Sequence, residues 1–201
     1  MYTHSLLSTR RRGVIAEPLL LCFLYAVLWL NHCCGVVCSL QALHVHNNHL
    51  SSVPPELTKL SRLFILVLAF NRFRTLPPIV AHMTDVRVSD VENVILAGNQ
   101  IEQIATDTLL KLKYAKKLDL RMNGLTLAPG DTVKFSALEH LTHLDIRDNC
   151  VHDLDIRAVK TLEYVNVERN EMTSLQLNGA QLKNVFASNN RESKTLKFSV
   201  I

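Results

Sequence analysis

Apolar residues along this chain recur in one frame, L-x-x-L-x-L-x-x-N-x-L, from residue 39 onward. Leu40, Leu43, Val45, Asn48 and Leu50 fill it first, and Leu63, Leu66, Leu68, Asn71 and Phe73 fill it again. Val91, Val94, Leu96, Asn99 and Ile101 come next, then Ala115, Leu118, Leu120, Asn123 and Leu125. The fifth copy is Leu141, Leu144, Ile146, Asn149 and Val151, and the sixth is Leu162, Val165, Val167, Asn170 and Met172. A seventh decays: Leu182, Val185, Ala187 and Asn190 fit, but Glu192 stands where an apolar residue belongs. The asparagines lie 23, 28, 24, 26, 21 and 20 residues apart.

Such a frame predicts a short strand around the third and fourth apolar positions, with alternate side chains pointing inward. Stacked copies pair in parallel and bury one aliphatic column that no single copy could bury alone. Asparagine suits the turn out of the strand, because its amide both donates and accepts and so satisfies backbone groups of two coils. Frame and period are those of leucine-rich repeats. The expected fold is therefore an α/β solenoid: a horseshoe with a parallel concave sheet and about seven repeats over residues 39–201. The far side of each coil varies. Val53-Pro54-Pro55 and Leu76-Pro77-Pro78 favour extended or tight-helical turns, since proline fixes φ. Ile104 to Leu112 has helix-like apolar spacing, and Asp85 to Asn93 reads as a short insertion. Neither end carries a polar cap, as expected of a piece of a longer protein.

Residues between the apolar strand positions should line the concave face. After the second apolar position the copies read His44, Val67, Ile95, Asp119, Asp145, Asn166 and Phe186. Two residues on they read His46, Ala69, Ala97, Arg121, Arg147, Glu168 and Ser188. The first copy offers imidazoles, the next two an apolar patch, and the fourth to sixth a charged field. Val67, Ala69, Ile95 and Ala97 are candidates for an apolar partner contact. Asp119, Arg121, Asp145, Arg147, Asn166 and Glu168 complete the candidate partner-binding set. Asp119/Arg121 and Asp145/Arg147 fall on neighbouring strands about 4.8 Å apart, so like charges adjoin. Diagonal Asp–Arg pairs would relieve them, or a ligand whose carboxylates or phosphates pair with the two guanidinium groups. The bland alternative is a solvated ion-pair ladder of little net energy.

Composition narrows the function classes. Of 201 residues, 48% are hydrophobic and 20% charged, which excludes a disordered chain. Net charge is +4, and residues 39–201 hold 19 basic and 17 acidic side chains, so no nucleic-acid-binding face is expected. His44, His46 and His49 have no carboxylate in frame, so no metal and no cofactor is expected. Asp153 and Asp155 beside His152 read as a solvent-facing turn, and Cys150 as a small space-filler. No phosphate loop, nucleophile elbow or catalytic carboxylate pair is present, so the chain reads as no enzyme. Cys22, Cys33, Cys34 and Cys38 precede a lone Cys150, and no Asn-x-Ser/Thr acceptor occurs among 14 asparagines. Both facts lean towards a reducing, cytoplasmic setting. Residues 1–38 lean the other way. Arg10, Arg11 and Arg12 precede an apolar run from Leu19 to Leu30, the outline of a secretory signal. The membrane would be a partner only if residues 19–38 acted as signal or anchor; the alternative is a non-native start, since composition changes abruptly at residue 39.

The segments LVLAFNRF (66–73), ILAGNQIE (95–102), KKLDLRMNGL (116–125), HLTHLDIRDN (140–149), YVNVERNEMTSL (164–175) and LKNVFASNN (182–190) carry a closer likeness. They resemble the repeat region of the PH-domain leucine-rich-repeat protein phosphatases, over roughly residues 40–190. The resemblance implies a scaffold and partner-binding surface for a kinase or another scaffold protein, in the cytosol, the nucleus or at membranes. The metal-dependent phosphatase domain of that family has no counterpart in this chain, so its activity does not carry over. A secreted or membrane-tethered recognition protein is the alternative that the apolar segment supports.

Overall fold

The computed structural model describes residues 40–60, 62–77, 80, 91–110, 112–128, 135–190 and 197–201. Residues 1–38, residues 85–90 of the expected insertion at 85–93 and Glu192 lie outside them, while Asn93 opens a strand of the third copy. In chain order the strands are β1 (Ala42–His44), β2 (Ile65–Val67), β3 (Asn93–Ile95), β4 (Lys117–Asp119), β5 (His143–Asp145), β6 (Asp153–Asp155), β7 (Tyr164–Asn166), β8 (Ser174–Leu177), β9 (Asn184–Phe186) and β10 (Lys197–Val200). One strand from each copy of the frame joins a seven-stranded sheet, ordered β1-β2-β3-β4-β5-β7-β9. Every pair in it is parallel, and equivalent frame positions are register partners: Leu43 faces Leu66, and Leu66 faces Val94.

Each strand is centred on the second apolar position of its copy, earlier than the frame implies. The asparagine accounts for the shift. Backbone N–H groups of Val45 and Asn47 still donate forward to the carbonyls of Val67 and Ala69, each at 3.0 Å. The Val45 carbonyl, however, is held by two side-chain amides, Asn48 Nδ2 at 3.0 Å and Asn71 Nδ2 at 2.9 Å. The same lattice repeats down the solenoid. Asn149 Nδ2 donates to Ile146 of its own coil at 2.8 Å and to Leu120 of the preceding one at 3.0 Å. Its Oδ1 accepts the Leu125 N–H at 3.0 Å. Asn170 and Asn190 reach back in the same way, to Ile146 and Val151 and to Val167 and Met172.

Residues just before the asparagines turn the chain through the left-handed region: Asn47, Phe70, Gly98, Met122, Asp148, Arg169 and Asn189 have φ between 50° and 65°. Only one of the seven is glycine, so the ladder holds six L-residues in a conformation worth roughly 1 kcal/mol or more against them.

The far side follows coil length. In the first coil Pro55–Lys59 is a 3₁₀ helix entered at Pro54 with φ −58°, as the proline pair suggests. A one-turn helix, α1 (Thr106–Leu110), lies in the third, where the apolar spacing predicts helix. The two shortest spacings, 21 and 20 residues, leave no room for a helical turn, and there the chain returns as strand. Leu154 and Ile156, then Leu175 and Leu177, alternate inward, and β6, β8 and β10 pair in parallel as a second sheet. Aliphatic side chains from both sheets and the helical turns form one continuous core from Leu43 to Leu177.

Asn149→Ala should leave the Leu125 N–H and the second contacts of the Leu120 and Ile146 carbonyls unmet. The expected loss is about 1–3 kcal/mol per buried group left unpaired. Urea denaturation of the 201-residue chain checks it, with Asn178→Ala, outside the ladder, expected to cost less than about 1 kcal/mol.

Candidate partner-binding face

Because the strands are in register, the concave face is a grid with one row per strand position. In the third row Asp119 lies directly across from Asp145, and Asp145 from Asn166. Three of these residues use the side chain first on their own backbone. Asp119 Oδ1 accepts the Arg121 N–H at 3.3 Å, Asp145 Oδ1 the Arg147 N–H at 3.2 Å, and Asn166 Oδ1 the Glu168 N–H at 3.0 Å. Each arginine then folds its Nε to within 3.5 Å of the other carboxylate oxygen of its own coil. The closest ion pairs thus lie within each coil, and the diagonal Arg121 also relieves the Asp145 charge. The acids sit below and the cations above: side-chain exposure is 6% and 13% for Asp119 and Asp145, against 33% and 27% for Arg121 and Arg147.

Asp145 has its carboxyl pushed above the ordinary range. Burial is the main cause, opposed by the Arg147 N–H, and the Asp119 charge adds to it. On the neighbouring edge Asp148 is held below that range by the Arg169 guanidinium, which grips both its oxygens. Asn166 is buried, with Nδ2 at 3.4 Å from Glu168 Oε2 and at 3.5 Å from the Tyr164 hydroxyl. Glu168 is half-buried and accepts the Ser188 hydroxyl, which lowers its pKa.

The apolar zone is smaller than the sequence suggests. Val67 and Ile95 are half-buried register partners, but Ala69 and Ala97 are buried and offer no contact surface. Their methyl groups are too short to emerge beside longer neighbours. Two left-handed turn residues extend the zone instead, Phe70 at 42% exposure and Met122 at 50%. Between them stands Gly98, where an added Cβ would lie 2.3 Å from the Phe70 ring. Glycine there serves both the positive φ and the ring that rests on it.

Sequence reasoning also passed over an aromatic row. His143 stacks on Tyr164 at 5.7 Å between centroids, and Tyr164 tilts against Phe186 at 5.5 Å. Reading the residue before the second apolar position of each copy would have found His143 and Tyr164. His44 and His46 meet edge-on at 6.4 Å, and among the described residues no group of three His, Cys, Asp or Glu is placed to hold a metal. Asp153 and Asp155 are not on a turn: they lie on β6, where Asp155 is clasped by Arg157. Cys150 is a free, half-buried thiol.

A family model described as Leucine Rich Repeat matches residues 39–60. PH domain leucine-rich repeat-containing protein phosphatase 1 of Mus musculus is 35% identical over 104 residues, 52% of this chain and 6% of the relative. Osteomodulin of Bos taurus is 27% identical over 108 residues, 54% of this chain and 24% of its own length. The Toll–Spatzle complex of Drosophila contains a similar chain at TM-score 0.65 and 18% identity, covering 76% of this chain and 22% of that one. This is a leucine-rich-repeat solenoid. Its repeats are similar to those of the PH-domain leucine-rich-repeat phosphatases, of whose length the chain spans a small fraction. Among the described residues no helix is long and apolar enough to cross a membrane.

Asp145 gives a pH test of this leucine-rich-repeat face. With its pKa raised on folding, the ionised form opposes folding at neutral pH, and this penalty fades as pH falls through the raised pKa. Asp145→Asn should therefore raise the urea midpoint at pH 7. The gain should shrink to nothing below the ordinary value of 3.8, where the group is protonated folded and unfolded.

Proposed function

We propose that the domain is a protein-interaction scaffold whose concave sheet receives a partner, serving as the repeat part of a protein serine/threonine phosphatase that acts on kinases in signal transduction. The observation that carries this reading is the 35% identity with the repeats of a PH-domain leucine-rich-repeat phosphatase. Val67, Ile95, Arg121 and Arg147 are the contacts on which the partner, a kinase or another scaffold protein, would rest, with Phe70 and Met122 widening the apolar end. Repeat solenoids present such faces because each coil adds one row of side chains to a rigid grid. Catalysis would come from a domain outside this chain, and the setting would be the cytosol, the nucleus or a membrane surface.

A second reading, a secreted or membrane-tethered recognition protein, draws on the likeness to osteomodulin and on the apolar run from Leu19 to Leu30.

Quantitative mass spectrometry after immunoprecipitation separates the two. The tagged 201-residue chain should enrich kinases or their scaffolds, and Val67→Glu with Ile95→Glu should lose at least about tenfold of that enrichment, as a buried charge in an apolar contact costs more than 1.4 kcal/mol. Enrichment of secretory-pathway proteins alone would overturn the phosphatase reading.

A further inference from the structure

The tetrapeptide Leu-Asp-x-Arg occurs three times among the described residues, as 118–121, 144–147 and 154–157, and its arginine ends differently in the last. Arg157, on the outer sheet, is clasped by its own aspartate: Nε reaches Asp155 Oδ1 at 2.9 Å and Nη2 reaches Oδ2 at 2.7 Å. Arg121 and Arg147, on the concave face, come no closer than 3.5 Å to their aspartates, through Nε, and neither side chain is held in a bidentate pair. Among the described residues no other carboxylate is in ion-pair contact with them, although Asp148 feels the charge of both and Glu168 that of Arg147. The two arginine side chains are 33% and 27% exposed and stand one strand spacing of about 4.8 Å apart, over carboxylates exposed at only 6% and 13%. Each pair sums to zero charge, yet its exposed layer is cationic.

We infer that Arg121 and Arg147 bind an acidic side chain on an extended partner segment whose apolar side chain, about two to four residues away, rests on Ile95 and Val67. This rests on the docking face proposed above and names the partner chemistry that it selects. The spacing follows from geometry. Ile95 and Val67 lie one and two strands over from Asp119, and Arg121 is two residues further along the chain, so the diagonals are roughly 8 and 12 Å; an extended chain advances about 3.3 Å per residue. The direction follows from charge. Glu168 stands beyond Arg147 on the next coil and repels an acidic segment running that way, whereas the coils before Arg121 present Ile95 and Val67. Preorganisation comes from the aspartates, which hold the arginine backbone and leave the guanidinium fork open for a bidentate contact.

A fluorescence-anisotropy set of octapeptides tests it, each carrying Glu or Gln at one position and Leu or Ala about two to four residues on. On the 201-residue chain the Glu/Leu peptides should bind about tenfold or more tighter than Gln/Leu and Glu/Ala, the scale of one charge-assisted contact. Arg121→Gln with Arg147→Gln should erase the preference for Glu while keeping that for Leu, and Arg157→Gln should change neither. Where the double Gln variant shifts the urea midpoint, Arg121→Lys with Arg147→Lys serves instead, weakening the Glu preference by loss of the fork. Equal binding of Glu and Gln peptides, a Glu preference that survives both double variants, or no binding at all overturns the inference. Leu-dependent binding without a Glu preference would do so while leaving docking on Val67 and Ile95 intact.

Discussion

A parallel solenoid brings the chain out of a strand at the same place in every coil, and each exit would strand a buried carbonyl. Asparagine solves this locally. Its amide holds the carbonyl three residues back and the equivalent carbonyl of the preceding coil, while its oxygen takes an N–H from that coil's next turn. Since the same side chain bonds in both directions, adjacent coils cannot slip against each other without breaking bonds in both. Register is therefore set by the polar ladder as much as by the aliphatic column beneath it. The left-handed residues before the asparagines are tolerated because the ladder over-determines their position.

That register has a functional consequence. A grid of equivalent positions lets neighbouring copies differ only in side chain, so chemistry changes along the face while geometry does not. Phe70, Gly98 and Met122 occupy one turn position in three successive coils, and the glycine makes room for the ring of its neighbour. Asp119 and Asp145 occupy one strand position in two, and burial, with the neighbouring Asp119 charge adding to it, lifts the pKa of Asp145. An isolated pair of such acids would be costly, and the arginine two residues on, with its own N–H, offsets the cost within each coil.

The sheet and its ladder were legible because both rest on residues spaced by a fixed frame. Seven asparagines with aliphatic residues three and five positions before them define seven strands, whatever lies between. What lay between was harder to read. Proline at 54 and 55 announces a tight helical turn, but the outer strands β6, β8 and β10 depend on how few residues remain to close a coil, a property of spacing and not of any motif. Surface character was legible only in part. Ala69 and Ala97 occupy the concave row as the frame requires, yet exposure depends on the reach of neighbouring side chains, which the frame does not encode. Phe70 and Met122 were overlooked for a similar reason: a left-handed turn points outward side chains that a strand-based reading leaves in the loop.

The thrice-used Leu-Asp-x-Arg shows where local sequence stops determining chemistry. In all three the aspartate accepts the arginine N–H, a short-range bond that any coil permits. What the guanidinium does next depends on how deeply the carboxylate lies. On the concave face the central strands crowd both flanks, the acid sinks, and the guanidinium stays 3.5 Å from it at its closest. In the outer sheet the strands are fewer and Asp155 stays more exposed, so the fork closes on it in a bidentate pair. Four identical or similar residues thus give a closed ion pair on one side of the solenoid and two open cationic edges on the other. The difference is one of neighbouring coils, which is why a binding face in a repeat protein has to be read across strands and not along the chain.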